Sequence, residues 1–193
     1  MRILRAAGYK VMPWKNGGGT TTEIAVSPQA AGLDDFDWRI SMARVEAGGP
    51  FSSFAGIDRT LSVLEGDGIV LDIAGRSASR LTAASAPLSF PGDVPTGAAL
   101  IGGPITDLNV MTRRGRMTHS VERLSVAGEI GIAPGGDMVL VLPVGGCILT
   151  DGTSSLGPLD TLVLDRNGPE LRLRSDGRKP LFVIRLTHVA ANH

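Results

Sequence analysis

The stretch from Trp38 to Gly68, WRISMARVEAGGPFSSFAGIDRTLSVLEGDG, leaves this chain little choice of fold. Strand side chains alternate with period two. Trp38, Ile40, Met42 and Arg44 therefore share one face, and Arg39, Ser41, Ala43 and Val45 the other. Gly48-Gly49-Pro50 ends that strand. After the loop Phe51 to Gly56, Ile57, Arg59, Leu61 and Val63 alternate with Asp58, Thr60, Ser62 and Leu64, until Gly66-Asp67-Gly68 turns the chain back. The stretch reads as one corner of a β-barrel.

Arg59 shares its face with three apolar side chains. A charge in such a place either reaches the rim or is held by an anion, because burying it unpaired is very costly. An internal ion pair is one solution, with Asp58, Glu65 or Glu23 as partner. The other is a carboxylate-binding arginine at the mouth of a pocket, its planar fork gripping a ligand's acid group.

Elsewhere the apolar runs are short, and turn signals interrupt them every eight to twelve residues, helped by 26 glycines and 12 prolines. That pattern predicts an all-β sandwich or barrel. Ile3 to Met12 reads as an edge strand closed by Pro13, which has no N–H for a ladder. PWKNGGGTTTEIAV follows, residues 13–26. Its glycines allow positive φ, and their amides suit an anion-binding nest. It is not a Walker A loop, since no Gly-Lys-Ser/Thr follows and no helix pattern comes after. A wide turn is the plain alternative, but Trp14, Lys15, Asn16, Thr22 and Glu23 are an unusual company for a mere turn.

Residues 27–37 read as a polar loop with one helical turn, and a long strand begins in ITDLNVMTRRGRMTHSVERL. There Asp107, Asn109, Met111 and Arg113 alternate with Leu108, Val110, Thr112 and Arg114, which suits either a polar pocket or one solvated face. VLEGDGIVL (63–71) has a weaker echo in VLPVGGCIL (141–149), so two related β-modules are expected, residues 1–114 and 115–193. The second has no counterpart of Arg59, Asn109 or Arg113. PELRLRS reads as a half-solvated strand, LFVIRLTHV as a last core strand, and AANH as a tail.

Several tracts in this order, PWKNGGG, TEI, WRISMA, GPFSSFAGIDRTLSVLEGDG and DLNVMTRRG, resemble the HutD or Ves-like family of bicupins over residues 13–114. The resemblance implies two cupin-type β-barrels, or jelly rolls, in one chain and a small-molecule pocket in the first. It also implies a regulatory link to histidine utilisation, with no established reaction. The expected ligand is a small carboxylate metabolite such as N-formylglutamate. Arg59 would grip its acid group, the loop Trp14, Lys15, Asn16, Gly17 and Gly18 would cover it, and Asn109 with Ser41 or Ser52 would fix its polar groups. Glu23 and Arg113 complete the candidate set.

Metal-dependent cupins resemble one another in a His-x-His tract with a following Glu. Here the corresponding tract, FSSFAGIDR, has no histidine. The chain's histidines are His119, His188 and His193, too few and too scattered for the converging imidazoles an iron, manganese or zinc site requires. No metal or other cofactor is expected, and Cys147 reads as core packing. A metal-independent isomerase or hydrolase is the alternative function, with Glu23 or Asp58 as base and Lys15 as electrophilic stabiliser; His119, beside Ser120 and Glu122, is a further candidate base. Lys plus Arg and Asp plus Glu both number 19, giving a formal net charge of zero. Neither nucleic acid nor an anionic membrane finds a basic run to bind. A soluble cytoplasmic protein, self-pairing through edge strands as a homodimer, is the expectation.

Overall fold

The computed structural model describes residues 1–145, 148–150, 154–166 and 168–190. Cys147 and the terminal His193 lie outside them. Among the described residues there is no α-helix, only a 3-10 turn at Ala6–Gly8. In place of the expected helical turn in 27–37 there are two separate hydrogen-bonded turns, closed by Ala31 N on Pro28 O at 3.0 Å and Asp35 N on Gly32 O at 3.4 Å.

Two compact units divide the chain, one of Lys10–Met117 and one of Met1–Tyr9 with the residues from Thr118 onward. The first nine residues go with the later part. The reason is strand pairing. The expected single strand over Ile3 to Met12 is broken into β1 (Arg2–Leu4), the 3-10 turn and β2 (Lys10–Pro13), and the two strands join different sheets.

The Lys10–Met117 unit continues with β3 (Gly19–Ser27), β4 (Trp38–Val45), β5 (Gly49–Pro50), β6 (Ile57–Glu65), β7 (Ile69–Ile73), β8 (Ser79–Leu81), β9 (Leu88–Pro91), β10 (Thr96–Leu100) and β11 (Ile105–Arg113). A six-stranded antiparallel sheet runs β2-β3-β4-β11-β6-β9, and a four-stranded sheet runs β5-β10-β7-β8. Their shared core holds Ala43, Val45, Leu61, Val63 and Phe90 from the first sheet and Ile69, Leu71, Ile73 and Leu81 from the second. The long strand expected from residue 105 is interrupted by a turn at 114–116, after which β12 (Met117–Ile132) starts.

The other unit adds β13 (Met138–Pro143), β14 (Ile148–Thr150), β15 (Ser154–Leu156), β16 (Thr161–Asp165) and β17 (Leu171–His188). Its seven-stranded sheet runs β1-β16-β13-β17-β14-β15, with β12 also paired to β17. The two strands read separately in PELRLRS and LFVIRLTHV are therefore one, β17, which pairs β14 along its first part and β13 along its second. Tyr9 fastens β1 in place: its hydroxyl lies 2.8 Å from Thr161 Oγ1 and donates within reach of the Leu159 carbonyl at 2.9 Å. Burial pushes that phenol up to about 12.

Two register shifts interrupt the six-stranded sheet. On β3 one falls between Glu23 and Ala25, so that Glu23 faces Ser41 but Ala25 faces Ile40. The second lies in the pairing of β11 with β6, between Thr106 and Asp107, where Glu65 and Val63 are the successive partners and Leu64 is left over. Such bulges twist a strand locally and re-aim its side chains.

Candidate functional site

The register of the six-stranded sheet sorts its inner face into rows, because directly opposed residues of an antiparallel pair project to the same side. One row reads Arg39, Met111, Arg59, Phe90 across β4, β11, β6 and β9. The next reads Glu23, Ser41, Asn109, Leu61, and a third Thr21, Ala43, Asp107, Val63. A diagonal polar belt of Arg39, Arg59, Glu23, Ser41, Asn109, Asp107 and Thr21 thus crosses a face that is otherwise apolar. On one side lies the core of the unit. On the other, Phe36, Ile57 and Met111 cluster with Val26, Ala31 and Phe54. The polar residues of β11 accordingly face inward and are not a solvated face: Asp107 is 2% exposed.

Arg39 and Arg59 are each 5% exposed. Arg39 donates from Nε to Glu23 Oε2 at 2.8 Å, which makes a largely buried ion pair. Arg59 is held differently. Its guanidinium lies 4.8 Å from the centroid of the Phe51 ring, 5.2 Å from Phe90 and 5.9 Å from Phe54. Cation–π contact with a desolvated guanidinium is worth about 2 kcal/mol in favourable cases, which offsets only part of the cost of burial. Its Nε is buried with no hydrogen-bond partner. Burial pulls Arg59 down to about 10, against the opposing field of Asp107.

None of the three carboxylates weighed for Arg59 holds it. Asp58 pairs with Arg114 at 2.9 Å, Glu23 with Arg39, and Glu65 is exposed. The acid it feels is Asp107. Burial pushes the Asp107 carboxyl up to about 7, opposed by Arg59 and by a hydrogen bond from the Ala43 backbone. Its Oδ1 and the Oδ1 of Asn109, two residues on along the same face, are both buried acceptors without a partner.

Phe51 and Phe54 of the aromatic cage come from a loop pinned by its backbone amides, while Phe90 stands on β9. Phe51 N donates to Thr96 O at 2.8 Å, Phe54 N to Gly92 O at 2.9 Å, and Gly56 N to Asp93 Oδ2 at 3.2 Å. Ser52 sits in this loop with its side chain exposed.

The glycine loop is a closed turn between β2 and β3. Gly17 N donates to Trp14 O at 3.1 Å and Gly18 N to Asn16 Oδ1 at 3.0 Å, so these two amides are occupied within the loop and form no anion nest. Gly17 takes φ of 70°, and a Cβ on Gly19 would overlap the Arg44 carbonyl oxygen. Trp14 is half-buried against the core and donates its indole N–H to Thr21 Oγ1 at 2.7 Å, which ties the loop to the belt. Lys15 and Asn16 are exposed.

Arg113 is taken up elsewhere. Its Nε donates to Phe36 O at 2.9 Å and an Nη to Asp34 O at 2.6 Å, with the guanidinium 5.7 Å from the Phe36 ring. It fastens the loop before β4 and is not free for a ligand. His119 and His188 belong to the other unit, where His188 lies against Asp137 at 3.0 Å. Among the described residues no group of three or more His, Cys, Asp or Glu is placed to hold a metal ion, and no helix is long and apolar enough to cross a membrane.

The fold is of cupin type. The chain superposes on YhhW from Escherichia coli with a TM-score of 0.69 at 10% identity, over 100% of this chain and 98% of that one, a likeness of fold alone. The HutD family model matches residues 6–183, and the chain belongs to that family. It is 43% identical over 111 residues to an uncharacterized 21.2 kDa protein in the hutC 3' region of Pseudomonas putida, covering 58% of this chain and 57% of that relative. It is 38% identical to Protein Ves of Citrobacter koseri over 56% of each. The chain thus spans little more than half the length of these two curated relatives. Two solved structures are similar throughout. A conserved protein of unknown function from Pseudomonas aeruginosa PAO1 gives a TM-score of 0.87 at 34% identity, covering 96% of this chain and 98% of that one. HutD from Pseudomonas fluorescens SBW25, in a formate condition, gives 0.82 at 35% identity, covering 98% and 99%.

Proposed function

We propose that this protein is a bicupin that binds a small carboxylate metabolite of histidine catabolism, of the N-formylglutamate kind, and so senses or buffers it in a regulatory role without a metal. One observation carries the reading: Arg59 is a buried cation with an unpartnered Nε, caged by three phenyl rings on a face lined with polar groups. A buried arginine without a hydrogen-bonded counter-ion is costly, and a ligand carboxylate is the group that best matches its fork. Ser41, Asn109 and Thr21 supply neutral polar contacts beside it. The same reading places the protein in the cytoplasm, where such metabolites arise, and leaves self-association through edge strands to a sedimentation measurement.

The test is thermal unfolding with N-formylglutamate, glutamate, urocanate and formate. An acid at a hundred times its Kd adds about 2.7 kcal/mol to stability, and Arg59→Met is expected to abolish that shift. A shift that survives Arg59→Met sinks the anchor.

The metal-independent isomerase or hydrolase has one observation in its favour. Asp107 is raised to about 7, in the range of a general base working at neutral pH, whereas Glu23 and Asp58, the bases the sequence suggested, are engaged by Arg39 and Arg114. Turnover of N-formylglutamate that disappears in Asp107→Asn would move the enzyme to the front.

A further inference from the structure

The charged groups around Asp107 can be counted strand by strand. β4 contributes Arg39, β3 contributes Glu23 and β6 contributes Arg59. Lys10, opposite Glu23 on β2, is exposed. β9 offers Leu88 and Phe90, the four-stranded sheet offers Ile69, Leu71, Ile73 and Leu81, and Arg113 on β11 itself is turned to backbone carbonyls. Arg39 and Glu23 cancel in their ion pair. What remains is Arg59 against Asp107: the belt carries one net positive charge when Asp107 is protonated and none when it is ionised.

We propose that, apart from the Arg39–Glu23 pair, the belt holds one negative charge at a time, so that a carboxylate entering against Arg59 is accompanied by a proton delivered from solvent to Asp107. This rests on the carboxylate reading of the site and adds its regulation: uptake of one acid group is coupled to pH.

Three features support the coupling. Asp107 and Arg59 are both buried on one face but form no ion pair among the described residues, so a ligand displaces no direct contact. Asp107 Oδ1 and Asn109 Oδ1 are buried acceptors with no donor. Two such orphans are costly, and protonation turns the Asp107 carboxyl from an acceptor alone into a donor as well. Third, a bound anion adds a like charge near Asp107 and neutralises the arginine that favours its ionised form, and both effects raise its proton affinity. Burial already holds that carboxyl near 7, so the coupling acts at physiological pH.

The experiment is calorimetric titration of the full chain with sodium formate and with N-formylglutamate between pH 6 and 9, where their carboxylates stay ionised. Each pH is measured in two buffers of different ionisation enthalpy. Uptake approaching one proton at pH 8 is expected, with Kd rising up to about tenfold per pH unit above about 7. Asp107→Asn, which has no carboxyl to protonate, should remove both effects. Binding with a flat pH profile and no proton uptake overturns this inference and leaves the carboxylate reading standing. Binding of neither acid at any pH overturns both. The two-buffer comparison reads the proton on the unmodified protein and does not depend on the variant folding.

Discussion

Arg39 and Arg59 face the same residue, Met111, from the strands on either side of β11, yet only Arg39 has a carboxylate within hydrogen-bonding distance. Two strand spacings put their backbones about 10 Å apart. The contrast predicts opposite responses to losing a charge. Glu23→Gln leaves Arg39 uncompensated and should cost about 3 kcal/mol. Arg59→Met removes a charge with no paired partner and should be neutral or stabilising by up to about 2 kcal/mol in the free protein. Chemical denaturation of the two variants checks both signs, and a strongly destabilised Arg59→Met would show that the phenyl cage outweighs the cost of burying the cation.

Asp107 gives the folded protein a distinctive pH response. Its carboxyl titrates near 7 when folded and near the ordinary aspartate value when unfolded. Between these the folded state keeps a proton that the unfolded chain has released. The resulting stabilisation is complete below about pH 4 and is lost as pH rises to about 7, a difference of a few kcal/mol. Subtracting the stability curve of Asp107→Asn from that of wild type should isolate this slope, with the variant the more stable at pH 8. A difference that stays level from pH 4 to 8 would refute the raised proton affinity.

Arg113 is expected to act on the loop it fastens. Arg113→Ala removes its hydrogen bonds to Phe36 O and Asp34 O and should cost about 1–3 kcal/mol, with faster amide exchange over residues 31–37 and across β4's first residues. Arg113 N also donates to Asp37 O, a bond the substitution keeps. Acid binding per folded molecule should be unchanged. Lost binding in a fully folded variant would return Arg113 to the site.

Removing Met1–Tyr9 should destabilise the unit that starts again at Thr118, because β16 would lose its partner β1 and Asp160 would lose both Arg5 at 2.7 Å and the Ala6 amide at 2.8 Å. The milder Tyr9→Phe leaves the Leu159 carbonyl and the Thr161 hydroxyl short of a partner and should cost about 1–2 kcal/mol. Comparing the two by thermal unfolding checks the assignment. A harmless deletion would contradict it.

The strands around the belt are legible in the sequence because period-two alternation needs only neighbours. The faces of β4 and β6 follow from it, and so does the sharing of one face of β11 by Asp107 and Asn109, while the choice between a pocket and a solvated face does not. Asp107 and Arg39 do not stand out as site residues, although each lies on the right face, because their importance depends on which strands pair. The pairing of β11 with β6 puts Asp107 near Arg59, and the pairing of β3 with β4 gives Glu23 to Arg39. Phe51 and Phe54 read as loop residues, and their packing on a guanidinium requires a fold-back of the loop that no local signal announces. The glycine run misleads in the other direction. Gly17 answers to a turn's positive φ and Gly19 to the close passage of β4, and neither requirement involves a ligand.

Both carboxylates of the belt, Glu23 and Asp107, stand beside a register shift. On β3 the shift changes the parity of the inward positions, from Thr21 and Glu23 before it to Val26 after it. The site is therefore encoded partly as a count of residues and not only as their identities. Losing Thr22 alone would leave every belt residue in the chain, yet with both ends of β3 held in register it would use up the extra residue, so that Ile24 falls opposite Ser41 and Glu23 opposite Met42, on the other face. A relative could thus match this sequence closely, differ by one missing residue, and no longer be able to keep Arg39 neutral.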